Sequence, residues 1–317
     1  MIRKKILVTG CAGFIGSNLV DFFLSKKYSI VGIDNLSTGN VLNLLDASKN
    51  KKFTFYKCDL LKFLKIKKYF KNIDLVIHLA ANADVRSGPK HPKKDLQQNL
   101  LVTTNVLEAM RVNNVKKIVF SSTGSVYGET KEYPTPENAK FPRQTSLYGA
   151  SKVSCEAFIS AYVESFGMQA WIFRFVSILG ERYTHGHVID FYKSLVKNPK
   201  LLKALGDGNQ RKSYLYIADC IEAIYIALNK SNKKINIFNL GTNEYIKVKE
   251  SIKYICNELN LKPKLQYEGG KRGWIGDNPF IFLDTKKIRS LGWKPKLSIK
   301  KSIIKTVKYL KSRDNRS

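Results

Sequence analysis

A chain of 317 residues, 44% hydrophobic and 11% aromatic, can bury a substantial core, which excludes a disordered polypeptide. No apolar run approaches the roughly 20 residues that cross a bilayer, and no signal-peptide layout opens the sequence, so no membrane partner is expected. The formal charge of +30, from 55 Lys and Arg against 25 Asp and Glu, could attract nucleic acid, but the lysines are dispersed and no nucleic-acid module is recognisable.

Five scattered cysteines, Cys11, Cys58, Cys155, Cys220 and Cys256, lack metal spacing and read as free thiols of a cytoplasmic protein. The apolar run Ile6-Leu7-Val8-Thr9 leads into Gly10-Cys11-Ala12-Gly13-Phe14-Ile15-Gly16, and Ser17 to Leu24 then carry helical periodicity. Strand, glycine turn and helix together form a phosphate cradle. The first glycine allows a tight turn, the second lets backbone approach a pyrophosphate, and the third lets helix pack on strand. Amides at the helix start face the phosphate charge.

A second strand, Ser29 to Ile33, delivers Asp34, an acid placed to accept hydrogen bonds from an adenosine ribose and to repel a 2′-phosphate, which favours NAD over NADP. Asn35, Ser37, Thr38 and Gly39 supply amides and hydroxyls beside it. After the strand Phe53 to Lys57, Asp59-Leu60 could meet the adenine amino group, or Asp59 could cap a helix. Asp74 to Ala81 predicts a buried fourth strand whose small end, Leu79-Ala80-Ala81, leaves room for a cofactor, with His78 packed in the core.

An amphipathic helix over Asn99 to Val112 and a strand over Lys117 to Phe120 precede the hydroxyl cluster Ser121 to Tyr127, which includes Thr123 and Ser125. A helix continues from Tyr148 to about Phe166, and Gln169 to Phe175 makes a sixth strand. The alternation predicts an α/β fold, a doubly wound parallel sheet with a smaller mixed α/β substrate domain. Residues 1–175 with about 212–241 form the first unit, and about 176–211 with 242–317 the second.

Tyr148-Gly149-Ala150-Ser151-Lys152 is the stretch the others serve. Residues four apart share one helix face, so Tyr148 and Lys152 project together. A free phenol titrates near 10, and one ammonium about 4 Å away, worth about 4 kcal/mol at an effective dielectric of about 20, brings it toward base work.

The ordered set Thr9-Gly10-x-x-Gly13-Phe14-Ile15-Gly16, Asp34, His78-Leu79-Ala80-Ala81, Ser121 to Gly128 and Tyr148-x-x-x-Lys152 closely resembles the extended short-chain dehydrogenase/reductase family, and within it the UDP-hexose 4-epimerases. The resemblance covers nearly the whole chain. It implies a Rossmann domain with bound NAD, Asn99 among the cofactor contacts, Tyr148 as acid/base, Lys152 on the ribose and Thr123 as the hydroxyl partner. It also implies a homodimer formed through helices near 100–113 and 149–166. Arg211, Arg272 and Asp277 sit where the family grips a nucleotide diphosphate and ribose of its nucleotide-sugar substrate. Related dehydratases follow the strand with Thr-Asp-Glu, whereas Thr123 is followed by Gly124 and Ser125, which points to 4-epimerisation of a UDP-glucose/galactose, UDP-N-acetylhexosamine or UDP-glucuronate substrate, with a nucleotide-sugar 4-dehydrogenase or reductase as the alternative. Ser177 replaces the asparagine of many hexose epimerases, and Arg182 could meet a uronate carboxylate or form a surface pair.

Overall fold

The computed structural model describes residues 5–140, 143–270, 278 and 280–315. Strands β1 (Lys5–Thr9), β2 (Ser29–Asp34), β3 (Phe53–Lys57), β4 (Leu75–His78), β5 (Lys117–Thr123) and β6 (Gln169–Phe175) come first in the chain. Four shorter ones follow, β7 (Ser177–Leu179), β8 (Leu201–Ala204), β9 (Arg211–Lys212) and β10 (Tyr214–Tyr216), then β11 (Ile235–Leu240), β12 (Ile246–Lys247) and β13 (Lys264–Tyr267). One seven-stranded sheet has the order β11-β6-β5-β4-β1-β2-β3, and every pairing in it is parallel. The order reverses between β1 and β4, which opens a crevice at the strands' carboxyl ends.

Alternation along the strands builds two core layers. Ile6, Val8, Val119 and Phe173 face one layer, and Leu7, Ile118, Phe120 and Ile172 face the other. The helix Phe14–Ser25 packs into the first layer through Leu19, Val20 and Phe23, beside the helix Ile217–Lys230. Helices Val102–Val112 and Leu147–Phe166 cover the second through Val106, Leu107, Cys155 and Ile159. Each fully buried aliphatic side chain contributes about 1.5–3 kcal/mol, so both faces hold the sheet.

Three boundaries differ from the sequence expectation. β4 stops at His78 because the Thr9 hydroxyl draws in the amides of Leu79 and Ala80, at 3.2 and 3.3 Å, and turns the chain off the sheet. β5 runs on to Thr123 because Ser121, Ser122 and Thr123 pair with Phe173, Arg174 and Phe175. The segment Leu96–Leu101 is a π-helical turn leading into the helix Val102–Val112, so the helix does not start regularly at Asn99.

Apart from β11, the strands beyond β6 pair in twos: β7 with β10, β9 with β12, and β8 with β13. Helices His187–Lys197, Val248–Leu259 and Ile299–Asp314 pack among them. Among the described residues, no helix is long and apolar enough to cross a membrane.

Candidate active site

The crevice between β1 and β4 is lined with backbone. Gly10 has φ +68°, and a Cβ there would lie 2.8 Å from the Ala80 nitrogen, so only glycine lets the two strand ends meet. A Cβ on Gly16 would lie 2.1 Å from the Gly10 carbonyl oxygen, so the helix Phe14–Ser25 sits directly on the turn. Its N-cap is Gly13, which offers no side-chain cap, and its first turn carries no acid, so the free N–H groups suit a diphosphate. Phe14 is buried and meets the Tyr183 ring edge-on at 5.6 Å, and Ile15 packs partly against the core.

At the end of β2 the Asp34 carboxylate accepts the Ala12 and Leu36 amides at 3.0 and 2.8 Å. Gly39 keeps that carboxylate open, since a Cβ there would come within 3.0 Å of both its oxygens. Asn35 accepts the Ser37 amide at 3.0 Å, and Ser37 and Thr38 are exposed beside it. Asp59 accepts the Leu61 amide at 2.9 Å, which makes it a turn acceptor rather than a helix cap, and the Leu60 side chain is buried in the second core layer. Leu79, Ala80 and Ala81 are half-buried at the end of β4. A glycine cradle, an uncapped helix start and a carboxylate at the second strand's end fit NAD, and that carboxylate repels a 2′-phosphate.

Ser146 caps the helix Leu147–Phe166 by accepting the Gly149 amide at 3.0 Å, which places Tyr148 in the first turn and Lys152 in the second. Gly149 lets this turn press against the cluster after β5, since a Cβ would lie 3.1 Å from the Ser125 carbonyl oxygen. Thr123 lies beside the Tyr148 phenol, accepts the Ser125 amide at 3.1 Å and donates to the Ser125 hydroxyl at 3.2 Å. Lys152 is 2% exposed, donates to the Ser121 carbonyl at 2.9 Å and lies 4.7 Å above the Phe120 ring.

The electrostatics correct one expectation. Burial pushes the Tyr148 phenol up to about 12, against the opposing pull of the Thr123 hydrogen bond. Burial likewise holds the Lys152 ammonium below its ordinary value. The ammonium is spent on the Ser121 carbonyl, and desolvation of the phenol outweighs the one-turn spacing.

Two other expectations are also revised. The Asn99 amide is used inside the protein: its oxygen accepts the Asn82 amide at 2.8 Å, and its nitrogen donates to Ser151 at 2.8 Å and Asp95 at 3.3 Å. Arg182, at φ +65°, pairs with Asp21 at 2.6 Å on the helix Phe14–Ser25, which supplies the carboxylate a uronate was expected to bring. Ser177 is exposed on β7. Arg211 is exposed and stacks on Phe280, 3.8 Å from the ring centre, with Tyr245 at 5.5 Å. Arg272 and Asp277 lie outside the described residues. His78 is a core residue, bonded to Thr9 at 2.7 Å and Thr103 at 3.0 Å.

Sequence reasoning missed the buried support behind the site. Arg174 grips Glu156 through Nε and Nη2 at 3.1 and 2.7 Å and donates to Tyr127 at 2.7 Å. Tyr127 donates in turn to Asn239 at 2.8 Å, and Ser122 donates to Glu156. The available signal was a lone arginine in the otherwise apolar run Ala170 to Phe175.

Residues 6–241 match the profile of the NAD dependent epimerase/dehydratase family. A Methanocaldococcus jannaschii protein provisionally named a UDP-glucose 4-epimerase is 37% identical over 313 residues, 97% of this chain and 98% of that one. The crystal structure of Thermotoga maritima UDP-glucose 4-epimerase with UDP-glucose superposes with a TM-score of 0.88 at 30% identity, covering 98% of this chain and 99% of that one. Bacillus cereus UDP-glucuronic acid 4-epimerase, in complex with UDP-glucuronic acid and NAD, gives 0.87 at 28% identity over 98% and 99%. With the glycine cradle, the Tyr148 and Lys152 pair and this agreement along the chain, the protein belongs to the NAD dependent epimerase/dehydratase family.

Proposed function

We propose that the chain is an NAD-dependent nucleotide-sugar 4-epimerase, an isomerase that oxidises C4 of a UDP-hexose to the 4-keto sugar and reduces it again on the opposite face. The observation that carries this reading is a single acid/base beside the hydroxyl cluster. Thr123 lies beside the Tyr148 phenol, and the next positions are Gly124, where a Cβ would lie 2.5 Å from Ile281, and Ser125, bonded to Thr123. No carboxylate follows Thr123 to expel water from the sugar.

NAD, when bound, supplies the acceptor that takes the C4 hydride and gives it back. Tyr148 removes the proton from the C4 hydroxyl and returns it, and Thr123 orients that hydroxyl. Lys152 holds the cofactor ribose, and Ser125 and Ser177 border the sugar. Arg211 and Arg272 hold the nucleotide diphosphate while the keto sugar turns, because guanidinium suits paired phosphate contacts, and Asp277 takes the ribose hydroxyls. Residues 1–175 with about 212–241 carry the cofactor, and the remainder carries the nucleotide. The engagement of Arg182 by Asp21 favours a hexose with a neutral C6 group over a uronate.

Two copies pair, on this reading, through the helices Val102–Val112 and Leu147–Phe166, which expose Val112, Phe158 and Phe166 at 48, 44 and 38%. A cytoplasmic setting, consistent with five free cysteines, belongs to the same reading. The test is to incubate purified protein with UDP-glucose, UDP-N-acetylglucosamine and UDP-glucuronate and follow C4 inversion by NMR, with absorbance at the NADH wavelength recorded alongside. Inversion without stoichiometric NADH supports the proposal. NADH accumulating in step with substrate loss makes the protein a dehydrogenase instead.

A further inference from the structure

Four charged side chains are buried around the helix Leu147–Phe166: Lys152 and Arg174 at 2%, Glu156 at 5% and Asp95 at 1% exposure. Glu156 is taken up by both arms of the Arg174 guanidinium. Lys152 then has the Ser121 carbonyl but, among the described residues, no carboxylate at ion-pair distance. A buried ammonium without a compensating negative charge is costly, so the remaining buried carboxylate is its natural complement.

Asp95 ends the short helix Pro92–Asp95 and enters the π-helical turn Leu96–Leu101. Its Oδ1 accepts the side-chain amides of Asn82 at 2.8 Å and Asn99 at 3.3 Å. Its Oδ2 is buried and has no hydrogen-bond partner among the described residues. A Cβ on Gly88 would lie 3.6 Å both from that oxygen and from the Leu147 Cβ, so the carboxylate stands at the start of the catalytic helix. The contact continues as a relay: Asn99 donates to the Ser151 hydroxyl at 2.8 Å, and Ser151 donates to the Tyr148 carbonyl at 2.8 Å.

We propose that Asp95 is a positioning residue of the active site, adding a buried carboxylate near Lys152 and Tyr148 and fixing, through Asn99 and Ser151, the turn that carries Tyr148. The charge acts on both catalytic groups in one direction: it strengthens the hold of Lys152 and of Tyr148 on their protons. Lys94, Asp84 and Lys152 face Asp95, while Cys155, Glu156 and the neutral His78 surround Lys152. Asp95 therefore adds, after Cys155 and Glu156, to the negative surroundings of Lys152, and makes Tyr148 hold its proton more tightly.

This inference rests on Tyr148 being the acid/base. The test uses NAD-loaded protein with tyrosines labelled with carbon-13 at Cζ, the Tyr148 signal being identified by its loss in Tyr148→Phe. Asp95→Asn keeps an oxygen for Asn82 and Asn99 but removes the charge, so the Tyr148 titration midpoint falls by roughly one unit. An unchanged or higher midpoint overturns the proposal. Asn82→Ala strips a hydrogen bond without touching charge and leaves the midpoint in place; a shift equal to that of Asp95→Asn would assign the effect to packing and also overturn it. If Asp95→Asn does not fold, Asp95→Ser removes the same charge and is judged by the same midpoint. Failure of the acid/base reading appears separately, as undiminished turnover by Tyr148→Phe.

Discussion

The Lys152 Nζ donates to the Ser121 carbonyl oxygen 2.9 Å away, tying the second turn of the helix Leu147–Phe166 to the carboxyl end of β5. Lys152→Met fills similar space but removes the ammonium that this carbonyl accepts from and that is proposed to hold the cofactor ribose. Turnover falls by about 10²-fold or more, the usual scale for a disabled acid/base system, and initial rates of C4 inversion check it.

Gly16→Ala forces a Cβ to within 2.1 Å of the Gly10 carbonyl. The obstacle is backbone, so the helix must lift from the turn. The variant loses about 1–3 kcal/mol in denaturant unfolding and no longer retains NAD through gel filtration.

Glu156→Gln leaves the Arg174 guanidinium buried without its counter-charge. Removing one partner of such a pair costs about 3–5 kcal/mol, far more than any exposed pair on this surface. Urea unfolding of the two proteins at the same pH measures the difference.

His78 has no exposed surface, and burial, assisted by Lys152, lowers its pKa from 6.5 to about 3. In the fold it stays neutral where the unfolded chain takes up a proton. The stability this provides is complete above pH 6.5 and is lost as pH falls toward 3. His78→Gln removes the titration, so its stability declines less than that of the wild type across that window, as unfolding midpoints at a series of pH values will record.

The strands and the cradle were legible because their signals are local. Gly10, Gly13, Gly16 and Asp34 lie within one β-α-β stretch, and β3 and β6 begin and end where their apolar runs do. What sequence concealed depends on distant partners. Arg182 could not be assigned until Asp21, on the first helix, was beside it. Asn99 looked available to a cofactor until Asn82 and Ser151 claimed both ends of its amide. The direction of the Tyr148 shift was missed because spacing reports a neighbouring charge but not the desolvation that opposes it.

The most direct measurement follows C4 inversion of UDP-glucose by NMR for the wild type and Tyr148→Phe, each shown to carry NAD. The account predicts equilibration to UDP-galactose by the wild type and a loss of about 10²–10⁴-fold in the variant. Wild-type inversion rates from Tyr148→Phe would contradict it.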